Sequence, residues 1–181
     1  EKYGDVRKTE IIPISGNLSL EDMIAVEDMV ITISHHGYIK RLPVSTWKTQ
    51  NRGGRGMKGA NTKQDDYVEH LFIASTHNTM LFFTDTGKCY WLKVHEIPQA
   101  SRISQGRAII NLIGCQTEDK VRAFVSVKEF KDNQYIVMCT KKGLIKRSSL
   151  SLYSKPRKGG IYAIEINEGD ELIQSKITEG S

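Results

Sequence analysis

The sequence predicts an all-β fold made of repeated blades of the propeller type. A strand–turn–strand pattern occurs three times, centred on Gly37, Gly87 and Gly143, which lie 50 and 56 residues apart. Each copy has two runs rich in Val, Ile, Phe, Thr and Tyr around a tight glycine turn, which is typical of a β-hairpin. Repeats of roughly 40 to 50 residues that carry several short strands are typical of propellers.

A second glycine follows each hairpin at a nearly constant distance. Gly56, Gly106 and Gly160 lie 19, 19 and 17 residues after the three turn glycines. Glycine is expected where the backbone needs positive φ or must approach another chain segment closely. The regular spacing therefore indicates a second structural landmark in every repeat.

An aspartate then precedes a further apolar run in each repeat. The pairs are Asp66 before 68–74, Asp119 before 121–127 and Asp170 before 172–177. The last run predicts the start of a fourth unit. We therefore expect one partial domain, 1–181, whose approximate units are 1–64, 65–117, 118–167 and 168–181. Helical periodicity is weak and confined to Leu20–Val26, which argues against a helical repeat.

Length and composition are those of a globular chain. With 181 residues, 39% hydrophobic and 26% charged, the chain can bury a core. No apolar run of membrane-spanning length and no leader peptide occurs in it, so we expect a cytoplasmic protein without membrane contact. The chain does not begin with Met and ends in Glu-Gly-Ser, so we expect a fragment of a longer protein.

Cysteine and histidine usage predicts neither disulfides nor a metal site. The three cysteines, Cys89, Cys115 and Cys139, are widely separated and form no Cys-x-x-Cys pattern. The one histidine pair, His35–His36, falls at a predicted turn, where we expect it to face water. Trp47 and Trp91 are predicted to pack in the core or between blades, with base stacking as the alternative.

Basic residues concentrate in two windows that contain no acid. Residues 29–64 hold seven Lys/Arg and no Asp/Glu, and residues 133–164 again hold seven and none. All 21 acids lie outside these windows, although the net charge is only +5. A fold that brings the windows together would have a basic side, which is typical of a protein that binds a polyanion.

The segment 50–59, Gln-Asn-Arg-Gly-Gly-Arg-Gly-Met-Lys-Gly, combines four glycines with three cations. Exposed N–H groups of a glycine-rich turn can bind an anion, and guanidinium groups match phosphate oxygens. The alternative is a flexible solvated loop or a disordered RNA-binding segment, because such segments share this composition.

These motifs resemble the C-terminal domain of the A subunits of DNA gyrase. Residues 50–56 look like the box of that family, in which a Gln, two mostly basic positions, two glycines, a basic residue and a glycine follow one another. Residues 4–11 look like the segment that begins the domain, and residues 37–43 are similar to its first hairpin. The resemblance extends in register from Tyr3 to about Lys176.

The resemblance implies a β-pinwheel, a disc of four-stranded blades in which neighbouring blades exchange strands. It implies non-sequence-specific binding and wrapping of double-stranded DNA, by which gyrase introduces negative supercoils during ATP-dependent strand passage. For this fragment we expect no enzymatic activity, catalytic residue, metal or cofactor, because ATP and Mg²⁺ bind elsewhere in the parent. The parent is implied to contain two B subunits together with a second A subunit.

In such a disc, each blade would present one hairpin and one glycine loop on the same rim. We expect the cations of these segments to contact DNA. Phosphate contacts position DNA without reading its bases. The candidate residues are Gln50, Arg52, Gly53, Gly54, Arg55, Gly56 and Lys58 in the box, Lys40 and Arg41 in the first hairpin, Arg102 and Arg107 in the second unit, and Lys146, Arg147, Arg157 and Lys158 in the third.

Three other interpretations remain open at this point. The chain could instead resemble the related C-terminal domain of topoisomerase IV, which guides the choice of DNA substrate. That domain has a degenerate box, so the intact box here favours gyrase. A protein-interaction propeller would share the repeat but would not require acid-free windows that follow the blade period. A propeller enzyme would need His, Asp or Glu converging on a central funnel, whereas the histidines here are scattered.

Overall fold

The computed structural model describes residues 20–46, 66–116 and 118–180. Within these ranges the chain is almost entirely β-structure. The strands are β1 (Asp28–Ser34), β2 (Tyr38–Pro43), β3 (Val68–Ser75), β4 (Thr79–Thr84), β5 (Lys88–Lys93), β6 (Arg107–Ala108), β7 (Val121–Val127), β8 (Tyr135–Thr140), β9 (Ile145–Ser149), β10 (Ile161–Tyr162) and β11 (Leu172–Thr178). The helices are α1 (Ile109–Ile113) and 3₁₀ turns at Leu20–Met23, Val44–Thr46, Val94–Glu96 and Leu150–Tyr153.

The strands form three antiparallel sheets, each built around one hairpin. The strand orders are β3-β1-β2-β6, β10-β5-β4-β7 and β11-β8-β9. The hairpin glycines Gly37, Gly87 and Gly143 have φ values of 77°, 82° and 89°, which residues other than glycine rarely adopt. The prediction of an all-β fold of repeated antiparallel blades is confirmed.

Neighbouring blades exchange strands after the second glycines Gly106 and Gly160. β6 follows the second hairpin in sequence but pairs with β2 of the first, and β10 pairs in the same way with β5. At Gly106, where φ is 92°, a Cβ atom would lie 2.5 Å from the Ile39 carbonyl oxygen. Only glycine fits this crossing, because a side chain would collide with the backbone of the strand that β6 joins.

The sheets divide the chain differently from the units predicted by sequence. β3 pairs with β1, and β11 pairs with β8, so each apolar run after an aspartate completes the sheet of the preceding hairpin. The run Leu172–Thr178 therefore completes the third sheet and does not open a fourth unit. From sequence alone, such a strand could pair with the hairpin before it or with the hairpin after it. The hydrogen-bonded strand pairs of the structure show that it pairs with the hairpin before it.

Two apolar clusters hold the blades together. Met80 and Phe82 on one face of β4 join the first cluster with residues of β1, while Leu81 and Phe83 on the other face join the second cluster with residues of β8. Successive strand residues point to opposite faces, so a middle blade must be apolar on both. This explains the unbroken apolar run in β4.

Trp91 packs between blades, as the sequence predicts. Its side chain lies against the second cluster, and its Nε1–H donates to the Tyr153 carbonyl at 2.7 Å. The prediction for Trp47 concerns a residue outside the described ranges. Cys89, Cys115 and Cys139 are free thiols.

The three aspartates after the second glycines fasten the hairpin turns. Each side chain accepts a hydrogen bond from the residue immediately before a turn glycine. The bonds are Asp66 with the His36 N–H (3.1 Å), Asp119 with the Thr86 hydroxyl (2.9 Å) and Asp170 with the Lys142 N–H (2.9 Å). The acids that repeat with the blade period are therefore structural, and they gather at the end of the blades that carries the turns.

Candidate nucleic-acid interface

The sheets have an inner and an outer edge. The Phe72 ring of β3 stacks on the Phe124 ring of β7 with centroids 5.2 Å apart, and β11 packs against β7. The β3, β7 and β11 edges therefore converge on one another. The opposite edges, formed by β6, β10 and β9, face away from this centre, and we call them the outer edge.

Five of the candidate cations lie at the outer edge with exposed side chains. Arg107 lies in β6, Lys146 and Arg147 lie in β9, and Arg157 and Lys158 lie in the loop that leads into β10. We call these five residues the outer cations. None of them forms a salt bridge with an acidic side chain of residues 20–46, 66–116 or 118–180. Their charges are therefore not neutralised by this part of the chain.

Two of the outer cations, both on β9, are oriented by contacts with neighbouring residues. The Arg147 guanidinium lies over the Tyr135 ring at 4.6 Å from its centroid, and the Lys146 ammonium donates to the Ala163 carbonyl at 2.7 Å. Because these residues are consecutive in a strand, they leave opposite faces of the sheet. The edge of β9 therefore presents positive charge on both sides.

Arg157 and Lys158 line an open cleft of about 700 Å³ beside β5 of the second sheet. Trp91 and Lys93 of β5 and one face of α1 form other walls of the cleft, and Glu96 contributes one carboxylate. The cleft is thus a concave, partly apolar stretch of surface with cations on its margin. It lies between α1, which follows β6, and the loop before β10.

Cations at the turn end have a different environment. Lys88 pairs with Asp119 at 3.3 Å, and Glu171 accepts from both Lys141 at 3.1 Å and Arg122 at 2.7 Å. The hydrogen bond from Lys141, together with the charges of Arg122 and Lys141, holds the pKa of the Glu171 carboxyl below its usual value. These cations are satisfied within the fold.

Lys40 and Arg41, the predicted contacts of the first hairpin, are not freely exposed. Lys40 is 1% exposed and its ammonium donates to backbone carbonyls, so the expectation that it faces the rim is corrected. Arg41 is half-buried, its Nε–H donates to the Ile97 carbonyl at 2.6 Å, and burial lowers the pKa of its guanidinium. In sequence the two residues form one basic patch, whereas a strand directs them to opposite faces.

The remaining candidates fall into two groups. Arg102 is half-buried, in the loop before β6. Lys155, which belongs to the second acid-free window but is not among the candidates predicted by sequence, is exposed beside the Arg157 loop. The box candidates lie outside the described ranges: Gln50, Arg52, Gly53, Gly54, Arg55, Gly56 and Lys58.

Two further features concern metals and membranes. Residues 20–46, 66–116 and 118–180 contain no group of three or more His, Cys, Asp or Glu side chains placed to hold a metal ion. No helix in these ranges has the length and apolar character needed to cross a membrane.

The fold matches known solved structures. The C-terminal domain of a DNA topoisomerase IV superposes with a TM-score of 0.72 at 24% identity, covering 87% of this chain and 48% of that one. A DNA gyrase A C-terminal domain superposes with a TM-score of 0.66 at 22% identity, covering 84% of this chain and 48% of that one. At these identities the likeness defines the class of fold, a propeller-like β-domain.

The sequence defines the family. Residues 28–75, 78–128 and 134–179 match the family described as "DNA gyrase C-terminal domain, beta-propeller". The chain is 46% identical over 179 residues, 99% of its length, to the DNA gyrase A subunit of Clostridium acetobutylicum. It is 45% identical over 181 residues, its full length, to the DNA gyrase A subunit of Aeromonas salmonicida. The chain belongs to the DNA gyrase C-terminal domain family, and it spans 22% and 20% of these two relatives.

Proposed function

We propose that this chain binds double-stranded DNA along its outer edge and bends it around the blades. The observation that carries the proposal is the contrast between two sets of cations. Lys88, Arg122 and Lys141 at the turn end are paired with acids, whereas the five outer cations form no salt bridge with the described acids. Unpaired cations on consecutive blades suit a ligand whose negative charges repeat along a path.

A wrapping protein needs contacts that are spread out. Bending 20 to 30 base pairs smoothly by 40–90° costs on the order of 1–6 kcal/mol, so one basic loop cannot hold a curved duplex. Arg107 of β6, the Arg157 loop before β10 and Arg147 of β9 offer successive attachment points on three sheets. Such contacts reach phosphates, so we expect little sequence preference.

Within a whole gyrase, we propose that the domain delivers the wrapped duplex to the cleavage gate, so that ATP-driven strand passage introduces negative supercoils. The two relatives described above are A subunits of DNA gyrase. The chain would contribute no bond-making chemistry of its own. The rest of the assembly would supply a second A subunit and two B subunits, and it would bind ATP and Mg²⁺.

The binding proposal is tested by a salt titration. A fluorescent mixed-sequence duplex of about 40 base pairs is titrated with the chain at 50 to 200 mM salt. Five phosphates give a slope of log K on log salt of about −4.5, which corresponds to an affinity loss of roughly 500-fold over this range. Salt-independent binding, or a strong preference for one short sequence over mixed competitor, would contradict the proposal.

The box is tested in the intact enzyme. We expect Arg52→Ala with Arg55→Ala to abolish negative supercoiling while ATP-dependent relaxation and DNA cleavage persist. Relaxation requires only a captured duplex and a working gate, whereas supercoiling requires capture from a wrapped path. Parallel supercoiling and relaxation assays on the same variant decide the matter. A joint loss of both activities would make the box a general folding or binding element.

A further inference from the structure

Lys40 is a buried cation surrounded by backbone oxygens. Its ammonium donates to the carbonyl of Arg102 at 2.6 Å and to that of Ser104 at 2.7 Å. A longer bond of 3.3 Å reaches the carbonyl of Ser101. An ammonium has three N–H donors, and here three carbonyl oxygens of one short loop surround it.

The loop that surrounds the ammonium belongs to the next blade. Residues 101–106 follow the second hairpin, whereas Lys40 lies in β2 of the first. The Ser104 hydroxyl donates to the Ser101 carbonyl at 2.9 Å, and the Ala100 N–H donates to the Arg41 carbonyl at 3.2 Å. The loop is thus folded around the lysine and joined to β2, immediately before the exchanged strand β6.

Blade packing by itself does not call for a cation at this position. The third residue after the turn glycine is Lys40 in the first hairpin, Tyr90 in the second and Lys146 in the third. Lys40 and Tyr90 are buried, whereas Lys146 is exposed. At Tyr90 the aromatic ring packs against Gly160 of the following blade. An uncharged side chain therefore fills the equivalent site, and burying an ammonium is costly unless its hydrogen bonds are satisfied.

We propose that Lys40 is a positioning residue for the DNA-binding surface: its ammonium holds the loop 101–106 in the shape that places Arg107 along the outer edge. The inference rests on the proposed function, because it assigns Lys40 to a loop that would contact phosphate. The sequence suggests Lys40 as a direct DNA contact. In this proposal it acts on DNA binding indirectly, through the backbone of the loop 101–106.

The first experiment measures the loop without DNA. In the whole chain, Lys40→Ala removes the ammonium and leaves a cavity beside the carbonyls, and Lys40→Gln keeps an N–H donor near them. Hydrogen exchange of the amides at 101–108 reports loop order. We expect faster exchange there in Lys40→Ala, with β4 and β7 still protected and an intermediate rate in Lys40→Gln.

Chemical rescue separates hydrogen bonding from charge. Methylammonium has three N–H donors and fits the truncated site, so it should restore the slow exchange of 101–108 in Lys40→Ala. Tetramethylammonium at the same concentration carries the same charge without a donor and should not. Unchanged exchange in Lys40→Ala, equal rescue by both ions, or loss of protection across the whole chain in both variants would overturn the proposal.

The second experiment adds DNA. If the loop positions Arg107, the salt slope for duplex binding should become less steep by about 0.9 in Lys40→Ala. Methylammonium should restore the steeper slope, and tetramethylammonium at the same concentration should not. A disordered loop with an unchanged slope would overturn the positioning role. A wild-type chain that binds no DNA would refute the proposed function instead, while the exchange data would still decide whether Lys40 holds the loop.

Discussion

Removing Arg157 and Lys158 together is the sharpest test of the outer edge. Both side chains are exposed, and neither forms a salt bridge with an acid of the described ranges. If each neutralises one phosphate, the double alanine variant should lose about 1.8 from the salt slope. At 0.1 M salt each contact corresponds to roughly an eightfold change in affinity, so the pair should weaken binding about 60-fold.

The matched control removes the same charge from the turn end. Lys141→Ala with Lys142→Ala also lowers the net charge by two, but Lys141 is paired with Glu171 and the Lys142 ammonium donates to the Glu168 carbonyl at 2.9 Å. Anisotropy titrations of wild type and both variants at several salt concentrations give the slopes. Equal effects of the two pairs would refute the reasoning, because binding would then follow net charge and not position.

Two further predictions concern the scaffold. Gly160→Ala should cost roughly 1–3 kcal/mol in urea unfolding, because φ is 71° and the new Cβ would lie 2.9 Å from the Cys89 carbonyl oxygen. The adjacent Gly159→Ala, with no atom within 4 Å, should change stability by less than about 0.5 kcal/mol, and equal costs would contradict the crossing argument. For Asp66, burial acts to raise the carboxyl pKa, but hydrogen bonds to the turn outweigh it and the pKa lies below 3.8. Its stabilisation is therefore present above pH 3.8 and lost as the pH falls through the folded-state pKa, so Asp66→Asn should flatten the acid limb of a stability–pH curve, and an unchanged limb would contradict this.

The repeat could be predicted from sequence because the same physical requirement recurs at each turn. A tight hairpin needs positive φ, and glycine at 37, 87 and 143 marks it three times. The second glycines were equally visible, and their role in the crossing of β6 and β10 follows from close backbone approach. These features depend on local backbone geometry, which a single sequence records directly.

Strand partners and side-chain directions could not be predicted in the same way. The run Leu172–Thr178 has the composition of a strand, but its pairing with β8 depends on contacts far away in sequence. Lys40 looked like a surface cation because a basic residue is rarely buried, and its carbonyl partners lie more than 60 residues downstream. Counting charges along the sequence shows where cations are concentrated. It does not show which of them form salt bridges with acids in the fold.

Lysine footprinting tests the central claim most directly. The chain is treated with an acetylating reagent with and without duplex DNA, and mass spectrometry measures the modification of each lysine. Lys155 and Lys158 should be protected by DNA, whereas the equally exposed Lys141 and Lys142 should react as in the free chain. Protection of Lys141 and Lys142, with Lys155 and Lys158 still reactive, would contradict a DNA path along the outer edge.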